Sequence, residues 1–202
     1  MKLTKDITTS AIAIVLFTVA LGVGYPLAIT AISQVAFGAR ADGSLITRDG
    51  RVTGSRLIGA AHMVGTKPDP AYFQPRPSAT GYSATATFFS NRGPNAASAR
   101  VFYRDALAAY RALEGPYTPG LTNARVPVDA VTTSASGVDP HISEANATIQ
   151  ARRVAGVRAI ALERIRQLIR DNTDGRFLDV IGEPGVNVPE LNIALDREAR
   201  QR

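Results

Sequence analysis

The chain has 202 residues, with 23 Lys and Arg against 17 Asp and Glu, a formal charge of +6, two histidines and no cysteine. The lack of cysteine excludes a disulfide framework, a thiol nucleophile and any cysteine metal site. His62 and His141 stand far apart in sequence, the carboxylates are dispersed, and no histidine pair has metal-ligand spacing.

Residues 7–39 carry no charged side chain, and 11–31 are almost purely apolar. At ~1.5 Å per residue, 11–31 spans roughly 31 Å as a helix, close to the ~30 Å hydrocarbon core of a bilayer. A cleaved leader would also place Lys2 and Lys5 before an apolar run, with Ala39-Arg40-Ala41 resembling a cleavage site. Leader cores, however, are usually ~7–15 residues long. The expected organisation is a short cytoplasmic N-terminus (1–6), one transmembrane helix (7–37) and a single compact soluble domain outside (38–202). Lys2 and Lys5 put the N-terminus in the cytoplasm by the positive-inside rule. Arg40, Arg48, Arg51 and Arg56 on the other flank count against this, but they interleave with Asp42 and Asp49, and long domains translocate largely regardless of charge. Within the span, Gly22 and Gly24 are expected to form a flat strip for a partner helix, and Pro26 to remove one hydrogen bond and bend the helix.

Beyond the span, Ser44–Thr47 and Arg51–Thr53 read as a hairpin around Arg48-Asp49-Gly50. Residues 62–93 are rich in Pro, Gly, Ser and Thr, and the prolines at 75 and 77 exclude a helix there. A helix is predicted from an Asn95 or Ser98 cap to about Leu113, with Val101, Leu107, Tyr110 and Leu113 as its apolar positions and Gly115-Pro116 as its end. Val128–Thr133 reads as a short strand. Ser143 is the predicted cap of a helix to about Val157, and Ala161–Arg170 of another, with Leu162, Ile165, Leu168 and Ile169 on one face. Phe177–Ile181 reads as a strand and Gly182-Glu183-Pro184-Gly185 as a turn. Asn187 precedes a last helix with Pro189 in its first turn. Strands separated by helices define an α/β or α+β domain.

Little in this chain points to catalysis. Asp139-Pro140-His141 with Ser134 or Ser136 has the residue types of a Ser/His/Asp triad, but triad members normally meet through the fold, and turn chemistry explains the run better. No loop ends in Gly-Lys-Ser/Thr, so autonomous ATP hydrolysis is not expected. Ser134-Ala135-Ser136-Gly137 has the small residues of a phosphate-cradling turn, and equally those of an ordinary exposed one. Arg152, Arg153, Arg158, Arg164, Arg166 and Arg170 read as a solvated helix face, and no aromatic interleaving suggests nucleic acid.

A series of ordered motifs resembles a known family. They run from Gly24-Tyr25-Pro26-Leu27 through Gly54-Ser55-Arg56-Leu57-Ile58-Gly59, Tyr72-Phe73 and Arg76-Pro77-Ser78-Ala79. Thr133–Ile142, Gln150 with Arg153-Val154, Ile181-Gly182-Glu183-Pro184 and Leu191–Asp196 follow. The chain is similar to the KdpC family, the small subunit of a potassium-transporting P-type ATPase, from the anchor to Asp196. Pro189 and the run 84–89 depart from the family pattern. The resemblance implies a non-catalytic subunit in a bacterial inner membrane. Its implied partners are a potassium-channel-like subunit, an ATP-hydrolysing subunit and a small membrane peptide. It also implies a catalytic chaperone that raises the ATP affinity of the hydrolysing subunit, with nucleotide contacts at Ser134, Ser136, Gly137 and Gln150. The flanking charges instead place the domain outside, away from cytoplasmic ATP, where it would cover the outer mouth of the potassium pathway. The alternative from another class is an independent, membrane-anchored extracytoplasmic binding module or hydrolase.

Overall fold

The computed structural model describes residues 2–48, 50–83 and 85–200. Asp49, the central residue of the predicted hairpin turn, and Ala84 lie outside them. The chain divides into two units between Val52 and Thr53.

The first unit is dominated by a helical run, α1 (Lys2–Phe17), a π-helical stretch (Thr18–Gly24) and α2 (Tyr25–Ala41). From Leu3 to Ala41 it is long and apolar enough to cross a membrane, and its apolar window is wholly unburied. The wide turn lies immediately before Pro26. Proline has no N–H, and its ring collides with the carbonyl four residues earlier. The Tyr25 N–H reaches back to the Ala20 carbonyl, a five-residue step that keeps the backbone bonded through the disturbance. Thr8 and Thr30 donate their hydroxyls to carbonyls one turn back. A second irregularity is at Phe37, with φ −136° and ψ 24°. Strands β1 (Leu45–Arg48) and β2 (Arg51–Ser55) form the predicted hairpin.

Among its described residues, the proline-rich region of the second unit holds only a hairpin of two-residue strands, β3 (Met63–Val64) with β4 (Lys67–Pro68), and is otherwise irregular. Helix α3 (Ala97–Glu114) follows, then 3-10 turns, β5 (His141–Ile142), α4 (Glu144–Arg158), α5 (Leu162–Asp171), β6 (Thr173–Asp174), β7 (Gly185–Asn187) and α6 (Val188–Arg200). Strands β5, β7 and β6 form an antiparallel sheet in that spatial order, with Ile142 opposite Val186 and Thr173 also opposite Val186. The main core packs Ala147, Ala151 and Val154 of α4 with Ile165 of α5, Val186 of β7 and Leu191 and Leu195 of α6. A smaller cluster gathers Tyr110, Leu121 and Ala130.

Several sequence expectations hold. Ser143 caps α4, its hydroxyl accepting from the Asn146 N–H, and Ile165, Leu168 and Ile169 are buried on α5. Asn187 Oδ1 accepts from the Glu190 N–H and caps α6. Others fail for identifiable reasons. Neither Asn95 nor Ser98 caps α3; Ala96 holds the cap position with no side-chain bond, and Val101 is exposed. Val128–Thr133 is no strand. Val128–Ala130 is a 3-10 turn in which Asp129 faces the start of α4 and accepts from the Ser143 N–H and hydroxyl and from Asn146 Nδ2. A carboxylate at a helix N-terminus outweighs the β preference of two valines. Phe177–Ile181 is likewise no strand but the solvent-exposed tip of the β6–β7 connection, whose two ends bridge each other and pair with no other strand among the described residues.

Candidate functional site

Helix α4 buries two stripes. One is apolar, through Ala147, Ala151 and Val154; the other is polar, through Asn146, Gln150 and Arg153 at helical spacing. The polar stripe holds the segment running through Pro70 to Gln74. Gln150 Nε2 donates to the Gln74 carbonyl at 3.0 Å while its Oε1 accepts from the Gln74 N–H at 2.7 Å. Arg153 Nη1 donates to the carbonyls of Pro70 and Tyr72, and its Nε to Glu114 Oε1 at 2.9 Å. From α6, Asn192 makes the same two-way bond to Phe73, at 2.9 Å in each direction. Phe73 itself is fully buried in the core. A proline-rich extended segment has no strand partners, so buried side-chain amides and a guanidinium take over the hydrogen bonds a sheet would have supplied. Burial pushes the Glu114 carboxyl up, opposed by the Arg153 charge and hydrogen bond.

The next stretch of the same segment is held by the turn 134–139. The Ser134 N–H donates to the Pro77 carbonyl, and the Ser134 hydroxyl accepts from the N–H groups of Gly137 and Asp139. The Gly137 carbonyl accepts from the Ser78 hydroxyl at 2.6 Å, and the Ser136 carbonyl accepts from the Phe88 N–H. Gly137 has φ +76°, and a Cβ there would stand 2.8 Å from the Phe88 carbonyl oxygen, so only glycine closes this turn. Ser134 and Gly137 are buried, Ser136 is exposed, and Gln150 is 2 % exposed. Ser134, Gly137 and Gln150 thus meet one continuous segment, Gln74–Thr80, from two elements, while Ser136 meets Phe88 instead.

His141 lies in a nearby cleft of about 420 Å³ lined in part by Arg76, Asp129, Asp139, Asp174 and Glu183. Its Nε2 is 2.9 Å from Asp174 Oδ2 and its Nδ1 is 3.6 Å from Asp139 Oδ1. The hydrogen bond with Asp139, then that with Asp174, raises the imidazole pKa against the opposing effect of burial. Burial works to raise the Asp139 pKa, yet the bonds from His141 and the Arg76 charge hold that carboxyl below its ordinary value. Both imidazole nitrogens face carboxylates, and the Ser134 hydroxyl is occupied by backbone N–H groups, so the Ser/His/Asp elements form no nucleophilic triad. Among the described residues no group of three or more His, Asp or Glu is arranged to hold a metal.

The arginine-rich run divides in the same way. Arg152, Arg164, Arg166 and Arg170 do face solvent, but Arg153 is fully buried and Arg158 is nearly so. Arg158 bonds to Asp196 and the Ala71 carbonyl and lies 4.3 Å over the Tyr72 ring, which also stacks on His62 at 4.1 Å. In the apolar helix, Gly22 faces the Thr18 methyl, whereas the nearest atom to a Cβ at Gly24 is the Val19 carbonyl oxygen, at 3.5 Å. Residues two apart do not share a helix face, so the two glycines open separate faces rather than one strip. The bracing roles of Asn146, Arg153, Asn192 and Glu114 were not foreseen from the sequence. For Asn146 and Arg153 the signal was their place four residues before and three after Gln150 on one alanine-rich helix; Glu114 and Asn192 lie on α3 and α6, outside that pattern.

An apolar N-terminal helix long enough to cross a membrane, followed by a small mixed domain braced by its own polar side chains, fits a single-pass membrane protein. The family profile described as "KdpC: K+-transporting ATPase, c chain" matches residues 7–197. A potassium-transporting ATPase KdpC subunit of Polaromonas naphthalenivorans is 47 % identical over 190 residues, covering 91 % of this chain and 92 % of that one. The Mycobacterium tuberculosis H37Rv subunit of the same name is 44 % identical over 186 residues, covering 91 % and 94 %. That of Koribacter versatilis is 40 % identical over 194 residues, covering 95 % and 94 %. The chain belongs to the KdpC family, the c chain of the K+-transporting ATPase.

Proposed function

We propose that this chain is a non-catalytic subunit of an ATP-driven potassium import complex in a bacterial inner membrane, where it supports assembly with a channel-like subunit, an ATP-hydrolysing subunit and a small membrane peptide. The observation that carries the reading, beyond family membership, is how Ser134, Gln150, Arg153 and Asn192 are used. Each bonds to the domain's own backbone, so the polar interior supports a shape rather than a reaction. Co-purification tests it. The tagged full chain should bring down a large polytopic membrane protein, and a purified chain that hydrolysed ATP or an ester alone would sink the proposal.

Lys2 and Lys5 before a single apolar span favour a cytoplasmic N-terminus and an extracytoplasmic domain. Cysteines introduced at exposed Ala135 and Glu183 should react with a membrane-impermeant maleimide on intact spheroplasts. Labelling only after lysis would reverse the orientation. The ATP-affinity effect that the family resemblance implies would then act across a subunit contact, since Ser134 and Gln150 are buried and bonded. Ser136→Ala should leave the complex's KM for ATP unchanged; a severalfold rise would favour direct nucleotide contact instead. In the span, Ala20, Gly24 and Ala28 recur every four residues, a spacing that permits close helix approach. A Cβ at Gly24 makes only an ordinary contact with the Val19 carbonyl oxygen, at 3.5 Å, so Gly24→Leu should leave the chain inserted while lowering recovery of the complex.

A further inference from the structure

Most exposed apolar side chains of the second unit are scattered, but one set is concentrated. Phe177, Leu178, Val180 and Ile181 are 68 %, 75 %, 77 % and 63 % exposed within five consecutive residues. They form the tip of the β6–β7 connection, which closes on its own backbone: the Phe177 N–H donates to the Ile181 carbonyl at 2.8 Å and the Ile181 N–H returns to Phe177 at 3.0 Å. Isolated exposed apolar residues need no explanation, but four on one projecting turn do. The backbone adds a second observation. Leu178 and Asp179 both occupy left-handed conformations, with φ +52° and +59°, at positions where such a turn ordinarily takes Asn and Gly. Left-handed backbone is unfavourable for a non-glycine residue, and the exposed Leu178 side chain gains no packing that compensates for it.

The charges around the tip limit what can cover it. Asp179 sits among the four apolar side chains; its N–H donates to the Arg176 carbonyl, but its carboxylate has no hydrogen bond or ion pair among the described residues. At the foot of the tip, Arg176 pairs with Glu183 at 2.9 Å, and Asp174 pairs with His141 and Arg56. The adjoining cleft adds Asp129 and Asp139, with Arg76 as its only guanidinium. This end is therefore acidic on a chain whose overall charge is +6. An anionic lipid surface would repel it, and two copies of the tip face to face would bury one Asp179 against another. Burying a lone carboxylate in an apolar contact without a counter-charge is strongly unfavourable.

We propose that Phe177–Ile181 is a docking finger that seats in an apolar recess of a partner subunit, with a basic side chain of that recess meeting Asp179. The proposal rests on the reading of the chain as a subunit of a larger membrane complex, and names the surface through which its folded domain engages. Bonds at the foot of the finger, from Arg176 to Glu183 and from His141 to Asp174, anchor its base.

The test is photocrosslinking in the intact complex, with a photoreactive amino acid replacing Val180 in the full chain. The expected product joins this chain to another protein subunit. Phe177→Ser combined with Ile181→Ser should lower co-purification of that subunit at least tenfold, Asp179→Asn about threefold, and Asp179→Lys as much as the double change. None of these should move thermal unfolding of the domain, because the substituted side chains are exposed. Crosslinks to lipid or to a second copy of the chain overturn the proposal, as does parental co-purification by all three variants. If the unsubstituted chain itself brings down no membrane subunit, the subunit reading fails along with the finger. If the parent assembles and the variants do too, only the finger fails.

Discussion

The apolar helix and the segment Pro70–Thr80 are both long stretches without sheet pairing, and they satisfy their backbones in opposite ways. The helix does so internally. Even where Pro26 interrupts it, a widened turn lets the Tyr25 N–H reach Ala20 without any outside side chain. Pro70–Thr80 depends on residues far away in sequence: Arg153, Gln150 and Asn192 from two helices, and Ser134 and Gly137 from a turn. In lipid only internal bonding is available, so the helix must be self-sufficient. In a folded domain, buried side chains can substitute for a strand, but each substitute becomes a point of failure.

That contrast can be broken most directly at Arg153. Arg153→Met leaves Glu114 buried without its partner and uncovers two carbonyls, and should destabilise the domain by about 3–5 kcal/mol in urea unfolding of the solubilised chain. The helical signal of the apolar segment should persist. Loss of both together would mean the helix is not self-sufficient. Asn192→Leu removes both bonds to Phe73 at similar volume and should cost about 1–3 kcal/mol by the same measurement. A result near zero would assign the bracing of Phe73 to its apolar packing instead.

The two histidines sharpen the comparison through pH. The His141 pKa is raised, so its stabilising contribution is complete below the unfolded value of ~6.5 and is lost as pH rises through the folded pKa. The His62 pKa is lowered, chiefly by burial, with nearby Asp196 and Asp69 opposing. Folding therefore loses stability there as pH falls below ~6.5. His141→Gln should flatten the alkaline side of the stability curve and His62→Gln the acid side. Because His141 is over a third exposed, solvent screening keeps its effect below about 1 kcal/mol. A curve unchanged by either substitution would remove both histidines from the account. The smallest effect is expected at Ala159, which ends α4 in a left-handed conformation with φ +54°. Ala159→Gly should raise stability by up to about 1 kcal/mol in the same unfolding assay.

The sequence reading succeeded where a local rule had no competitor. The membrane-length helix follows from an uncharged run, α4 from the Ser143 cap and α5 from its apolar spacing. It failed at Val128–Thr133 and Phe177–Ile181, because β preference describes a fit to a neighbouring strand and cannot say whether one is present. The candidate site was legible in outline only. Ser134, Gly137 and Gln150 stood out as residues, but that they converge on one extended segment depends on contacts such as that between Gln150 and Gln74, 76 positions apart.

The sequence alone therefore determined the apolar span, the single mixed domain and the family, since each is written in contiguous patterns of charge, period and motif. Only the tertiary structure decided that Arg153 is a buried brace rather than a solvated charge, and that His141 is shared between two carboxylates. It also decided that Phe177–Ile181 projects into solvent. Those facts depend on which distant residues share a small volume, and hydrogen bonding and desolvation there outweigh every local preference.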